Sequence, residues 1–125
     1  MTRTTMSQQP SPEPFYSMAR RAGDILFLSG FGPVGENLEV VGADIEEQTA
    51  FTMDAIGRAL EKEGATFDDV VRTNVFLLDM EDRDGFNRAY MRYFKGRMPT
   101  RRLIGAGDLF KGILVEIDCT AYLGK

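Results

Sequence analysis

The stretch from Val70 to Leu78, VVRTNVFLL, carries apolar side chains in both phases of a two-residue alternation. A strand with that pattern needs cover on both of its faces. The chain offers only two segments with helical periodicity to provide it. The first opens at Asp44, with Glu47 three residues on in a capping-box pattern. Ile45, Thr49, Met53, Ile56 and Leu60 then fall on one face, and Gly64 closes the helix. The second begins near Asp82 and places Phe86, Ala89, Tyr90, Tyr93 and Phe94 in one stripe before Gly96 and Pro99 stop it.

The remaining segments read as strands. One is expected from Phe15 to Arg20, followed by a turn at Gly23. A second, Asp24 to Ser29, ends at Gly30, and Gly32, Pro33, Gly35 and Asn37 make a loop. Short and long strands at Arg101–Ile104 and Gly112–Tyr122 finish a domain spanning 15–125. Residues 1–14, polar and proline-bearing, read as a flexible lead-in.

The order strand, strand, helix, strand, helix, strand, strand predicts an α+β fold, a sheet with two helices packed on one face. In the last strand Val115, Ile117, Cys119 and Ala121 point one way, and Leu114, Glu116, Asp118, Thr120 and Tyr122 the other. Phe76 and Leu78 should share one face of the central strand, with Val71, Val75 and Leu77 on its reverse. No third helix exists for the second face, so burial against another subunit is expected.

Composition removes several functions. There is no histidine, which excludes Ser-His-Asp and Cys-His catalysis and His-ligated metal sites. The single cysteine, Cys119, cannot form an intramolecular disulfide, as suits a reducing compartment. A net charge of −4 argues against nucleic-acid binding and against attachment to an anionic membrane. With no apolar run long enough to span a bilayer and no hydrophobic leader core, a cytoplasmic location is expected.

Gly30-Phe-Gly-Pro-Val-Gly35 matches the G-x-G-x-x-G pattern of dinucleotide sites. Such a site needs its last glycine to open a helix, yet the helix here waits until Asp44, so the match is rejected. Pro99-Thr-Arg-Arg102 sets two arginines at the start of a strand after a rigid turn. The plain reading is a pair of solvated cations. Alternation sends them to opposite faces, so at most one enters a given pocket, where a guanidinium fork suits carboxylate capture. Glu116 interrupts an apolar strand and is either exposed, paired or functional, with Asp118 as the rival acid on its face. Cys119, on the helix-covered face, reads as an inert thiol. Ser29 either ends its strand or offers a hydroxyl to a ligand, and the Tyr90 and Phe94 stripe reads as core.

Taken in order, several of these segments resemble the RidA (YjgF) family. They are Val70 to Met80, the Asn87-x-x-Tyr90-x-x-x-Phe94 helix, Pro99-Thr-Arg101, Val115-Glu-Ile-Asp118 and the loop Phe27-Leu-Ser-Gly-Phe-Gly-Pro33. The likeness runs from about Phe15 to Ala121. It implies a chorismate-mutase-like, RidA-type mixed sheet, a homotrimer, and active sites in clefts between subunits. It also implies hydrolysis of reactive 2-enamine and 2-imine carboxylic acids, such as 2-aminoacrylate, to 2-keto acids and ammonia, without metal or cofactor. By position Arg101 would hold the substrate carboxylate and Glu116 would orient water, with Ser29, Gly30, Phe31, Asn87, Phe15 and Leu103 along the pocket.

The chain departs from the family pattern at four of these places. Phe15 replaces a tyrosine, Leu103 a cysteine, Phe31 a glutamine, and Arg102 a small residue. The implied pocket wall is more apolar, which suits a larger enamine acid such as 2-aminomuconate comparably well. A non-catalytic trimer that binds carboxylates or partner proteins, as a regulator or chaperone, would use the same Arg101 but has no need of Glu116. The acidic charge and missing histidine argue against ribonuclease chemistry.

Overall fold

The computed structural model describes residues 15–124, so the lead-in expected over 1–14 lies outside the described residues. Five strands form one sheet: β1 (Ala19–Ala22), β2 (Ile25–Phe31), β3 (Val70–Leu77), β4 (Thr100–Gly105) and β5 (Val115–Tyr122). Their spatial order is β1-β2-β5-β3-β4. All neighbours are antiparallel except β3 and β4, which run parallel. Among the described residues two α-helices, α1 (Ile45–Lys62) and α2 (Arg83–Tyr90), lie on one face, as the mixed α+β reading requires.

Helix α1 begins where the sequence places it. Asp44 has extended backbone and its Oδ1 accepts from the Glu47 amide at 2.9 Å. Glu47 returns the contact one residue early, accepting from the Ala43 amide at 2.8 Å. At the other end Gly64 takes φ +78°, and the Ala65 amide donates to Leu60 O, closing the last turn. Ile45, Thr49, Met53, Ile56 and Leu60 are all buried against the sheet. Gln48, also buried, donates to Gly42 O and accepts from the Leu114 amide, so α1 is tied to the entry of β5.

Helix α2 is shorter than its stripe suggests. A 3-10 turn over Met80–Asp82 precedes it, capped by Asp79, and another over Met91–Tyr93 follows. Phe86, Ala89 and Tyr90 are buried, while Tyr93 and Phe94 pack half-buried at the rim with Phe67.

The sheet side of the core holds Leu26, Leu28, Phe31, Val75, Leu77, Val115, Ile117, Cys119 and Ala121. The β5 alternation is as expected; the β3 alternation is corrected at one position. Val70↔Ala121 and Arg72↔Thr120 are consecutive pairings, so β3 carries one extra residue, Val71. That bulge turns Val70 into the core and leaves Val71 48% exposed, not beside Val75.

Strand boundaries also move. β1 starts at Ala19, so Phe15 and Tyr16 stand outside the sheet. β2 continues past Ser29 through Gly30 to Phe31, across a second bulge: Leu28 faces Cys119 and Phe31 faces Ile117. β5 waits until Val115, because Phe110–Gly112 forms a tight turn with Lys111 at φ 53° and Gly112 at φ 71°. Lys111 Nζ donates to Leu38 O, joining two residues with left-handed backbone.

Away from the helices the sheet is open. Phe27, Ile104 and Tyr122 are each more than 40% exposed there, beside Asn74, Phe76, Arg102, Glu116 and Asp118.

Candidate functional site

Register assigns each candidate to a face. Thr73 pairs with Arg101 on one side and Cys119 on the other, so these three share a face. The Thr73 hydroxyl meets the Tyr90 hydroxyl at 2.8 Å, which makes it the helix face. Arg101 therefore reaches toward α2. Its Nη1 donates to Asn87 Oδ1 at 2.8 Å, and its guanidinium carbon lies 5.2 Å from the Tyr90 ring centroid and 5.7 Å from that of Phe86. Those two rings stack at 5.0 Å, giving a flat apolar shelf under the cation.

Burial draws the Arg101 guanidinium below its ordinary pKa; Tyr90 opposes that shift and Arg83 adds to it. Arginine stays protonated throughout any working pH range. Leu103 follows on the same face, half-buried against the core. Arg101, Asn87 and Leu103 are thus brought together at the α2 edge of the sheet.

Glu116 lies on the other side. It pairs with Phe76, which pairs in turn with Ile104, all three facing away from the helices. Burial, helped by the charge of Asp118, raises the Glu116 carboxyl above its ordinary pKa. Gly30 is packed directly against that carboxylate: a Cβ built there would overlap Glu116 Oε2. Ser29, one residue earlier, donates its hydroxyl proton to Ser17 O. Asp118 is engaged differently, its Oδ1 accepting from Asn74 Nδ2 at 2.9 Å. With one oxygen of the rival acid so committed, Glu116 is the freer carboxylate.

The structure thus gathers the candidates into two groups: Arg101, Asn87 and Leu103 on the helix face, and Ser29, Gly30 and Glu116 on the open face. Two others fall outside both. The Phe31 ring is 8% exposed and packs in the core under the sheet, turned inward by the bulge after Leu28. Phe15 is 84% exposed near Ser17, whose carbonyl accepts from Ser29.

Two residues of the Arg101 group escaped the sequence reading, which took Tyr90 as plain core. Phe86 and Tyr90 flank Asn87 on α2, and that adjacency was the available signal for an aromatic support. Cys119 is buried, its thiol pushed up to about 12 by burial and by Asp118, which fits an unreactive group.

Among the described residues no group of three or more Cys, Asp or Glu side chains could hold a metal ion. None of the helices described is long and apolar enough to cross a membrane.

Comparison with known proteins gives a consistent result. The family described as Endoribonuclease L-PSP matches residues 6–123. A RutC family protein of Saccharolobus solfataricus is 40% identical over 90% of each chain. The chloroplastic Reactive Intermediate Deaminase A of Arabidopsis thaliana is 33% identical over 86% of this chain and 58% of its own length. The crystal structure of RidA from an Antarctic Psychrobacter superposes with a TM-score of 0.84 at 27% identity, covering 90% of this chain and 92% of that one. With the family match spanning nearly the whole sequence, and with this sheet and helix arrangement, the chain belongs to the RidA (YjgF) family.

Proposed function

We propose that this protein hydrolyses 2-enamine and 2-imine carboxylic acids to 2-keto acids and ammonia at a site built between subunits. One observation carries the reading: Arg101 and Glu116 lie on opposite faces of one sheet. A single small substrate cannot touch both within one chain. A site that uses both must take Arg101, Asn87 and Leu103 from one subunit, and Ser29, Gly30 and Glu116 from its neighbour. A homotrimer supplies such junctions and covers the exposed Phe27, Ile104 and Tyr122.

In this arrangement Arg101 holds the substrate carboxylate by its guanidinium fork. The aromatic shelf and Asn87 fix the side chain beforehand, so little rotamer entropy is lost on binding. The imine carbon is already electrophilic. Glu116 accepts a proton from water as the water oxygen bonds to that carbon, and that proton passes on to the nitrogen, giving the carbinolamine. The carbinolamine then collapses: its hydroxyl proton is carried by the same carboxylate to the amine as the C–N bond breaks, releasing ammonia, leaving the keto acid and returning Glu116 ionised. A raised pKa makes Glu116 a better base than an ordinary surface carboxylate. Holding substrate and water in register supplies much of the remaining acceleration. A larger enamine acid such as 2-aminomuconate fits the same anchor, with Leu103 in place of a more polar wall.

The test is keto-acid release from a panel of amino-acid-derived imines, generated in place because they decay in water. Release from at least one, above the rate in buffer, is the expected result. No release from any, with carboxylates still bound at Arg101, would leave a carboxylate-binding trimer instead.

A further inference from the structure

The arginines of α2 and the turn after it divide between two flanks. Phe86, Ala89 and Tyr90 are buried on the side that meets the sheet. On one flank of that stripe Arg88 and Arg92 reach α1, where both pair with Glu46, at 3.0 and 3.3 Å. On the other flank stand Arg83 and Asn87, four residues apart and so neighbours on one side of the helix. Asn87 Oδ1 accepts from Arg101 Nη1, so this second flank faces the anchor on β4.

Arg83 therefore stands one turn before the residue that holds Arg101. Burial does most to draw the Arg101 pKa down, and the charge of Arg83 adds to that shift, as a second cation nearby must. Asp79, Glu81, Asp82 and Asp84 are close to Arg83 in sequence, yet among the described residues none forms an ion pair with it. Arg83 is also the first residue of its helix, where the dipole disfavours a cation, so helix stability does not account for it. Other arginines without an ion pair, such as Arg72 and Arg102, project from the open face, whereas exposed Arg83 shares its flank with the anchor's own acceptor. A substrate with one carboxylate would answer only one of these two guanidiniums.

We propose that the site takes imine and enamine acids with a second carboxylate, Arg101 holding the carboxylate beside the imine carbon and Arg83 the distal one. The 2-imino acids formed by oxidation of glutamate and aspartate belong to this class. The proposal rests on the hydrolytic reading above and narrows it by charge: of the larger acids admitted there, it selects those carrying two negative groups. Arg83 then sets which acid is preferred and takes no part in the bond changes.

Keto-acid release from imines generated in place by an amino-acid oxidase tests it, with glutamate set against methionine and aspartate against asparagine. Each pair is similar in length and differs by one charge. The parent should favour the acidic member of at least one pair in kcat/KM by about fivefold or more, and higher salt should shrink that ratio. Arg83→Gln should bring the ratio to about one, and Arg83→Glu should push it lower still. A parent without the preference overturns the proposal, and so does a preference that Arg83→Gln leaves intact. Equal losses on both members of each pair would make Arg83 a support for the fold or for Arg101, and overturn it as well. Calorimetry separates this result from the hydrolytic reading. 2-Oxoglutarate should bind the parent more tightly than 2-oxobutyrate, and Arg83→Gln should remove most of the difference. That difference in binding, with no keto acid released from any imine, would end the hydrolytic reading yet keep both carboxylate contacts. Hydrolysis with no difference in either measurement would keep the hydrolytic reading and end this one.

Discussion

The two faces of the sheet come from the same five strands and meet opposite fates. Under the helices most side chains are apolar and buried, and the Arg101 cation lies over rings with Asn87 as its acceptor. The open face mixes Phe27, Phe76 and Ile104 with Arg102, Asn74, Asp118 and Glu116, and leaves a buried acceptor unsatisfied. The covered face is closed over by the two helices within one chain, with the buried Thr49 hydroxyl also left without a partner among the described residues. Among the described residues no helix lies over the open face. Since the proposed chemistry divides its groups between the two, each face can be broken separately, and the breakages should differ in kind.

The largest effect is expected on the covered face. Arg101→Ala should lower kcat/KM by tenfold to about a thousandfold, the loss of roughly 2–4 kcal/mol from a charge-assisted anchor. Assembly and melting temperature should hold, because the side chain rests on the core without filling it. Arg101→Lys should also be poor, since an ammonium cannot reproduce the two-pronged contact. Steady-state kinetics beside a thermal melt check both. A folded, fully active Arg101→Ala would end the anchoring role.

Mixing sharpens the comparison further. Arg101→Ala and Glu116→Gln damage opposite faces, so a site joining an intact Arg101 to an intact Glu116 can form only between unlike subunits. Random reassembly of equal amounts should return about a quarter of the parental sites in a cyclic trimer. Two crippled proteins would then gain activity on co-refolding. No gain, with mixed assemblies shown to form, means that the site does not span subunits.

Gly30→Ala should act on the open face through position alone. The added methyl displaces the end of Glu116, a flexible group, so the fold survives while the carboxylate shifts. Turnover should drop by about tenfold or more with carboxylate binding little changed, the same signature expected of Glu116→Gln. Equal losses in binding and turnover would mean that Glu116 does not place the water.

The acid side of the rate profile should report the same group. Activity needs the Glu116 carboxylate ionised, and its folded pKa is raised, so the rate should start to fall at a higher pH than an ordinary glutamate would give. Asp118→Asn removes the neighbouring charge and should move that limb to lower pH, measured where assembly is saturated. An unmoved limb would assign the ionisation elsewhere. The smallest effect belongs to Arg102→Ala, which under the same saturating conditions should change kcat/KM by less than about threefold, because alternation directs it away from the anchor. A dead Arg102→Ala beside an active Arg101→Ala would reverse the assignment of faces.

Much of this was legible in the sequence because it follows from local rules. Asp44 and Glu47 announce the start of α1, Gly64 announces its end, and β5 alternates without a fault from Val115 to Tyr122. What was not legible depends on counting residues against a partner strand. Val71 and the Ser29–Gly30 segment are bulge positions, and a bulge is a relation between two strands that no single strand encodes. Hence the inward turn of Phe31, next to a glycine-rich loop, could not be read from β2 alone. The aromatic support of Arg101 was hidden differently: a stripe of Phe86 and Tyr90 looks the same whether it buries only itself or also carries a cation.

The bulge in β2 has a consequence for how this sequence can change length. Leu26, Leu28 and Phe31 all point under the sheet although the last breaks the even count, because three residues on β2 span two on β5. Removing one residue there would restore a plain ladder in which Phe31 still stands opposite Ile117 under the sheet, but would take away either the Ser29 hydroxyl or the space that Gly30 leaves for Glu116. Substitutions at Ser29 trade one hydrogen bond against another, whereas a single-residue deletion between Leu28 and Phe31 strikes the proposed site while the core keeps its register. This is a segment whose length is held more tightly than its composition.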